Sequence, residues 1–98
     1  MSLNTDRVSI VALTAGGGPT EYDFVVKPST YKTAYRTVTS DLGVGQTVTF
    51  FRLKSNGQPY AVAEKTMDDT DTAVNVFGVG EWRMVRSDNT VEVLISPL

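Results

Sequence analysis

Residues 46–67 decide the fold, and they read Gln46-Thr-Val-Thr-Phe-Phe-Arg-Leu-Lys54, then Ser55-Asn-Gly-Gln58, then Pro59-Tyr-Ala-Val-Ala-Glu-Lys-Thr-Met67. Two runs rich in β-branched and aromatic residues flank Asn56-Gly57. This dipeptide is the strongest short-range signal for a β-hairpin, because a type I′ turn requires positive φ at both of its central residues. The stretch therefore predicts two long strands paired across a tight turn.

The predicted hairpin has two chemically different faces, because successive side chains of a strand point to opposite sides. With Asn56-Gly57 as the turn, Phe51 faces Val62 and Phe50 faces Ala63. One face is expected to cover a core and consists of Leu53, Phe51, Tyr60 and Val62. The other is a candidate nucleic-acid-binding face and carries Arg52, Lys54, Lys65 and Phe50. Lysine and arginine side chains beside an aromatic ring suit contacts with phosphates and stacking on nucleobases. An ordinary solvent-exposed sheet face, however, has the same composition.

The rest of the chain predicts further strands at 7–14, 20–27, 30–39, 72–79, 81–86 and 90–96, and no window has the apolar period of a helix. The glycines Gly16–Gly18 predict a connection that pairs the first two strands. Asp88-Asn89 predicts a turn that pairs the last two, with Trp82 opposite Ile95. We expect an all-β domain over residues 1–98. It would be an antiparallel meander of about seven strands built from hairpins, as a small sandwich or a sheet completed by a partner subunit.

The composition argues against several classes of function. The 98 residues include nine Lys and Arg, eleven Asp and Glu, and no Cys or His. The formal charge of −2 lacks the bulk basic signature of a nucleic-acid-binding protein, though a local basic face is compatible with it. Without thiols or imidazoles, the usual nucleophile, general base and transition-metal ligands are missing. We expect no enzymatic activity, no metal and no cofactor.

Two further features bear on ligands and on location. The acidic run Asp68–Asp71 predicts either a solvated turn or a weak cation site, and it lacks the ligand spacing of a calcium-binding loop. The first residues have no signal-peptide pattern, and no apolar run approaches the roughly 20 residues that span a bilayer. We therefore expect a soluble protein, made in the cytoplasm, with no membrane partner.

Four residues are candidates for a contact between subunits: Val11, Leu13, Tyr31 and Tyr35. The first predicted strand is apolar on both faces, which indicates burial on both sides or contact with another subunit. Tyr31 and Tyr35 share a face with a ladder of threonines, and tyrosine is enriched at protein interfaces. The same face could instead be a platform for carbohydrate. A domain of this size buries two sheet faces most easily with the help of a partner.

The order of elements resembles the coat proteins of single-stranded RNA bacteriophages over roughly residues 5–67. The resemblance rests on the glycines Gly16–Gly18, on Tyr22 and Phe24, on Ala34-Tyr35-Arg36, and on the paired runs Thr47–Arg52 and Tyr60–Lys65. It implies a hairpin packed on a meander sheet, with one sheet face binding genomic RNA through Arg52, Lys54 and Lys65. That family ends in helices that interlock two subunits. Here Val91–Leu98 departs from this pattern, so the C-terminal hairpin would have to cover the sheet.

The expected function is that of a structural virion protein, a capsid coat protein that self-assembles through β-sheet interfaces. Its partners would be itself, as a homodimer and a higher symmetric assembly, and single-stranded RNA. It would be located in the virion, after assembly in the host cytoplasm. The alternatives are a phage capsid decoration protein, or a small monomeric β-sandwich module that binds carbohydrate or peptide.

Overall fold

A computed structural model describes residues 10–30 and 33–96 of the chain. This part contains eight β-strands and no helix, which confirms the all-β prediction. None of it forms a helix able to cross a membrane. The strands are β1 (Ile10–Leu13), β2 (Glu21–Val26), β3 (Tyr35–Ser40), β4 (Val48–Arg52), β5 (Lys65–Met67), β6 (Ala73–Phe77), β7 (Gly80–Arg86) and β8 (Val93–Ile95).

The strands form two four-stranded antiparallel sheets. Sheet I has the order β1-β8-β3-β6, and sheet II has the order β2-β7-β4-β5. The first strand therefore pairs with the eighth, the second with the seventh, the third with the sixth and the fourth with the fifth. This is the order of a jelly roll, an eight-stranded double sheet containing two Greek keys. The small sandwich expected from the sequence is confirmed.

The core lies between the two sheets because alternate side chains of each strand point inward. Phe24 of sheet II packs edge to face on Phe50, with ring centroids 6.3 Å apart. Phe50 has no exposed surface, and burying such a side chain contributes about 2–3 kcal/mol. The buried apolar residues are Leu13, Phe24, Val26, Val38, Leu42, Val48, Phe50, Met67, Val74, Val76, Trp82, Met84, Val91, Val93 and Ile95.

The central hairpin forms between β4 and β5, but the predicted register is wrong. Phe50 faces Lys65 instead of Ala63. Gly57 has φ of 85° and donates its N–H to the Lys54 carbonyl, while no described non-glycine residue, Asn56 included, has positive φ. The turn is therefore not type I′, and residues 60–64 lie outside the paired strands. The two faces are exchanged: Val48 and Phe50 point inward, whereas Phe51 is half-buried and Tyr60 and Val62 are exposed.

The two terminal hairpins are not formed, because β1 and β8 lie in sheet I while β2 and β7 lie in sheet II. Trp82 faces Phe24 and Arg52 instead of Ile95. Connections 14–20 and 87–92 pass from one sheet to the other, and the Gly16 and Gly17 N–H groups both donate to the Asn89 carbonyl. The apolar inner faces of the two sheets bury each other. The free energy gained by this burial exceeds what pairing of neighbouring strands in hairpins would contribute. The single meander sheet implied by the phage coat resemblance is accordingly not found.

Candidate interaction surfaces

The outer faces of the two sheets differ in charge. Sheet II presents Glu21, Asp23, Glu81 and Arg83 together with Val25, Thr49, Phe51, Thr66 and Val85. Sheet I presents Val11, Tyr35, Thr37, Thr39, Ala73, Asn75, Phe77 and Leu94. None of these outward-facing side chains of sheet I is charged at neutral pH. We call these eight residues the neutral face.

Cross-strand contacts hold the neutral face in one arrangement. Tyr35 and Phe77 lie directly opposite each other, with ring centroids 5.5 Å apart, and remain 40% and 51% exposed. Thr37 Oγ1 donates to Asn75 Oδ1 at 2.8 Å. Val11, at the β1 edge, is 48% exposed. A partner could cover this surface without removing any charge from water, which is the expensive part of burying polar surface.

Two of the predicted interface residues lie on the neutral face, and one does not. Val11 and Tyr35 belong to it, and Tyr31 lies outside the described residues. Leu13 is buried in the core, so its assignment to an interface is wrong. The pairing of β1 with β8 contains a β-bulge between Val11 and Leu13, which turns these two side chains to opposite faces. Sequence reasoning missed Phe77, whose place beside Tyr35 depends on the β3–β6 register.

The predicted nucleic-acid-binding residues do not form a sheet face. Phe50 is buried in the core and has no ring surface left for stacking on a base, so that role is wrong. Lys65 lies at the edge of the sandwich between β5 and β6, opposite Phe50 and with its ammonium 3.5 Å from the Asn75 carbonyl, whereas Arg52 and Lys54 lie at one end. This end carries the β2–β3, β4–β5 and β6–β7 connections. We call it the basic end.

Aromatic rings and carbonyl groups position the cations of the basic end. The Arg52 guanidinium lies 4.8 Å from the centre of the Trp82 ring, and its Nη2 donates to the Val79 carbonyl at 3.1 Å. The Lys54 ammonium lies 5.6 Å from the centre of the Tyr60 ring. Such cation–π contacts contribute about 0.5–1 kcal/mol at exposed sites. These side chains are therefore partly ordered before any partner arrives.

Two glycines in the β6–β7 bend leave room for the Arg52 guanidinium. Gly78 and Gly80 have φ of 114° and 133°, and a Cβ on Gly78 would lie 2.6 Å from Arg52 Nη1. The Gly78 carbonyl also accepts a hydrogen bond from Trp82 Nε1 at 2.9 Å. Arg52 thus has a packing role in the β6–β7 bend that its sequence context does not reveal.

Two buried arginines were not anticipated, and Arg86 is the more enclosed, at 1% exposed. Its guanidinium donates five hydrogen bonds to backbone carbonyls, at distances between 2.6 and 3.0 Å. Thr14, Gly17, Pro19 and Val91 are the acceptors. Arg86 therefore fixes the glycine-rich connection, which the sequence alone suggests is flexible, against the β7–β8 connection.

Arg36 links the two sheets in a similar way. Its Nε and Nη2 donate to the Ser96 carbonyl, and its Nη1 donates to the Val25 carbonyl at 3.0 Å. Its guanidinium lies 5.9 Å from the centre of the Phe24 ring. Burial lowers the pKa of Arg36 from its usual value. Three of its five N–H donors are used inside the molecule, and Arg36 is buried, so it does not contribute to an exposed basic surface.

The opposite end of the sandwich is acidic. It carries the connections 14–20, 41–47, 68–72 and 87–92, which contain no Lys or Arg. Hydrogen bonds join connections 41–47 and 87–92, including Ser87 N–H to the Thr47 carbonyl and Gln46 Nε2 to Thr90 Oγ1. The carboxylates of this acidic end belong to Asp41, Asp68, Asp69, Asp71, Asp88 and Glu92.

Two of these carboxylates are held in turns of the same design. Asp68 Oδ1 accepts hydrogen bonds from the backbone N–H and the hydroxyl of Thr70, and Asp88 Oδ1 accepts the same pair from Thr90. These bonds favour the ionised form and lower the pKa of both aspartates. Backbone hydrogen bonds between Asp68 and Asp71 close the predicted acidic turn. The described residues contain no group of three or more acidic, Cys or His side chains placed to hold a metal.

Comparison with known proteins gives no family for this chain: no protein-family model, no curated protein and no solved structure matches it. Function is therefore inferred from the fold and from the chemistry of its surfaces.

Proposed function

We propose that this protein is a self-assembling structural subunit, a capsid coat protein, whose copies meet through the neutral face. The observation that carries the proposal is an uncharged sheet face that exposes Val11, Tyr35 and Phe77, on a molecule whose other sheet face is charged. Burial of apolar surface contributes about 25 cal/mol per Å². A second copy is the natural partner, because two copies of one uncharged face form an isologous contact without desolvating a charge.

The size of the neutral face sets the strength of one contact. Four strands spaced about 4.8 Å apart make a sheet roughly 19 Å wide, and six-residue strands are about 20 Å long. The flat area is therefore roughly 400 Å² per subunit, about half of what each partner buries in a standard stable interface. We expect this contact alone to give a weak dimer, and larger particles to need a second kind of contact acting together with it.

The shape and topology of the molecule support a role in a shell. The molecule measures 38 × 37 × 24 Å, so it is a flat tile. Jelly rolls occur in viral capsid and lectin domains, although a fold by itself does not specify a function. Because lectins share this topology, a second candidate is a monomeric carbohydrate-binding module that uses the exposed Tyr35–Phe77 pair on the same face.

Size-exclusion chromatography with light scattering, over a range of protein concentrations, tests the proposal. We expect species larger than the 10.7 kDa monomer, and at about 1 M salt we expect Phe77→Asp to return them to monomer. Val62→Asp is the matched control, because Val62 is an exposed apolar residue outside the neutral face. The ratio of absorbance at 260 and 280 nm reports whether particles carry RNA. A monomer at every concentration would contradict the proposal and favour the carbohydrate-binding alternative.

A further inference from the structure

The two ends of the sandwich carry opposite charge. The connections of the acidic end carry six carboxylates, and the nearest base, Arg86, is buried against carbonyl oxygens. Among the residues that the structure describes at the basic end, three cations exceed the two carboxylates of Glu64 and Glu81. The three are Lys27, Arg52 and Lys54. Antiparallel strand order produces this separation, because alternate connections of the chain fall at opposite ends.

We propose that copies of this protein also associate head to tail, with the acidic end of one copy docked on the basic end of the next. The complementary surface for each end is present on the molecule itself, which makes a second copy the partner best matched in charge. Such a contact is heterologous, so it extends into a ring or an open chain instead of stopping at a dimer.

Both ends are prepared for this contact. The carboxylates of Asp68 and Asp88 are held by their threonine hydrogen bonds, and Gln46 Nε2 joins the connection that carries Asp88 to connection 41–47. At the basic end, Lys54 lies against Tyr60 and Arg52 against Trp82. A guanidinium has five N–H donors, and Arg52 uses one of them on Val79. Because these side chains are already ordered, docking loses little conformational freedom.

The end-to-end contact rests on the self-assembly proposed above and adds an interface of different chemistry. A face-to-face contact alone produces a closed pair, and a second contact is needed for growth into larger assemblies. The dependence on salt concentration distinguishes the end-to-end contact from the face-to-face contact. Exposed charges are screened beyond about 10 Å at 0.1 M salt and beyond about 3 Å at 1 M, whereas burial of the neutral face depends little on screening.

The test uses two charge-reversed forms of the full chain. Lys27→Glu with Lys54→Glu makes the basic end acidic, and Asp69→Lys with Asp71→Lys leaves four carboxylates and two ammonium groups at the acidic end in place of six carboxylates. Light scattering at low salt should show end-to-end association of the wild type, and association about tenfold or more weaker for either variant alone. An equimolar mixture of the two variants should recover one end-to-end contact of wild-type strength, because the unaltered acidic end of the first variant meets the unaltered basic end of the second. A misfolded variant could not produce this recovery.

Three results would overturn the inference. The first is association of either variant alone at the wild-type level, and the second is a mixture that fails to recover. The third is wild-type protein whose size at low salt changes only on addition of an oligouridylate probe, which would assign the basic end to nucleic acid. Failure of the neutral face is recognised separately, because Phe77→Asp removes the association that survives about 1 M salt and leaves the salt-sensitive association intact.

Discussion

Arg86 buries its guanidinium among backbone carbonyl oxygens. Its five hydrogen bonds match the five N–H donors of the side chain. The acceptors lie in two connections that each cross from one sheet to the other, so Arg86 ties together two segments that have no strand pairing of their own. Arg83, three positions earlier in β7, has the opposite setting. It lies on the outer face and makes a bidentate ion pair with Asp23, at 2.7 and 3.0 Å.

Replacing Arg86 should therefore destabilise the protein much more than replacing Arg83. We expect Arg86→Leu to lower the free energy of unfolding by about 3–5 kcal/mol. The buried carbonyl groups lose their hydrogen-bond donors, and a cavity remains where the guanidinium group was. Arg83→Leu is the matched control on the same strand. It should lower the free energy by about 1 kcal/mol or less, because exposed ion pairs contribute little. Urea unfolding measures both, and equal losses would refute the role assigned to Arg86.

The β6–β7 bend shows how an element can be shaped around one side chain. Gly57 and Gly78 both have positive φ, but an added Cβ meets nothing within 4 Å at Gly57 and meets Arg52 at Gly78. Left-handed backbone alone costs a non-glycine residue about 1–2 kcal/mol. At Gly78, displacement of Arg52 also disturbs its contacts with Trp82 and Val79.

We expect Gly78→Ala to cost about 1 kcal/mol more than Gly57→Ala, the extra amount being the disturbed cation–π contact and hydrogen bond. In an Arg52→Ala background this difference should disappear, since the side chain that clashes is gone. A double-mutant cycle by chemical denaturation measures the coupling between positions 52 and 78. A coupling indistinguishable from zero would mean that the bend does not depend on Arg52.

Sequence patterns give the strands of this protein well and their pairing poorly. Alternation along β2 correctly indicates that Phe24 and Val26 are buried, because a half-buried strand has period two. Which strands pair depends on the connections between them, and the conformation of these connections depends on how the core packs. The Asn56-Gly57 turn is not type I′, so β4 presents its other side to the core.

The candidate surfaces are predicted only in part, for related reasons. Val11 and Tyr35 are identified from local composition, and both lie on the neutral face. Leu13 points into the core instead, because a single bulge reverses the inward and outward alternation of side chains along β1. The charge separation between the ends is invisible in a net charge of −2. It emerges only when the antiparallel topology assigns each connection to an end.

On the scale of the whole molecule, the proposed assembly has a geometric consequence. In a face-to-face contact of two neutral faces, residues near the two-fold axis approach their own copies. Thr39 lies within this face, between Leu94 and Ala73. Thr49 has the corresponding setting on the outer face of sheet II, between Val85 and Thr66. Both are half-buried, and the chain contains no native cysteine, so each can carry a unique thiol.

We expect Thr39→Cys to be joined into covalent dimers by a bis-maleimide of about 10 Å span, the distance between packed sheets. Thr49→Cys should react with the same reagent without forming dimers above the background of random collisions. Gel electrophoresis after brief treatment reads out both, and high salt should leave the Thr39→Cys dimer yield nearly unchanged because the face carries no charge. Dimers formed equally from the two variants would show that copies do not select the neutral face. Dimers formed mainly from Thr49→Cys would move the subunit contact to sheet II, where burial of Glu21, Asp23 and Glu81 would make association depend on pH and salt.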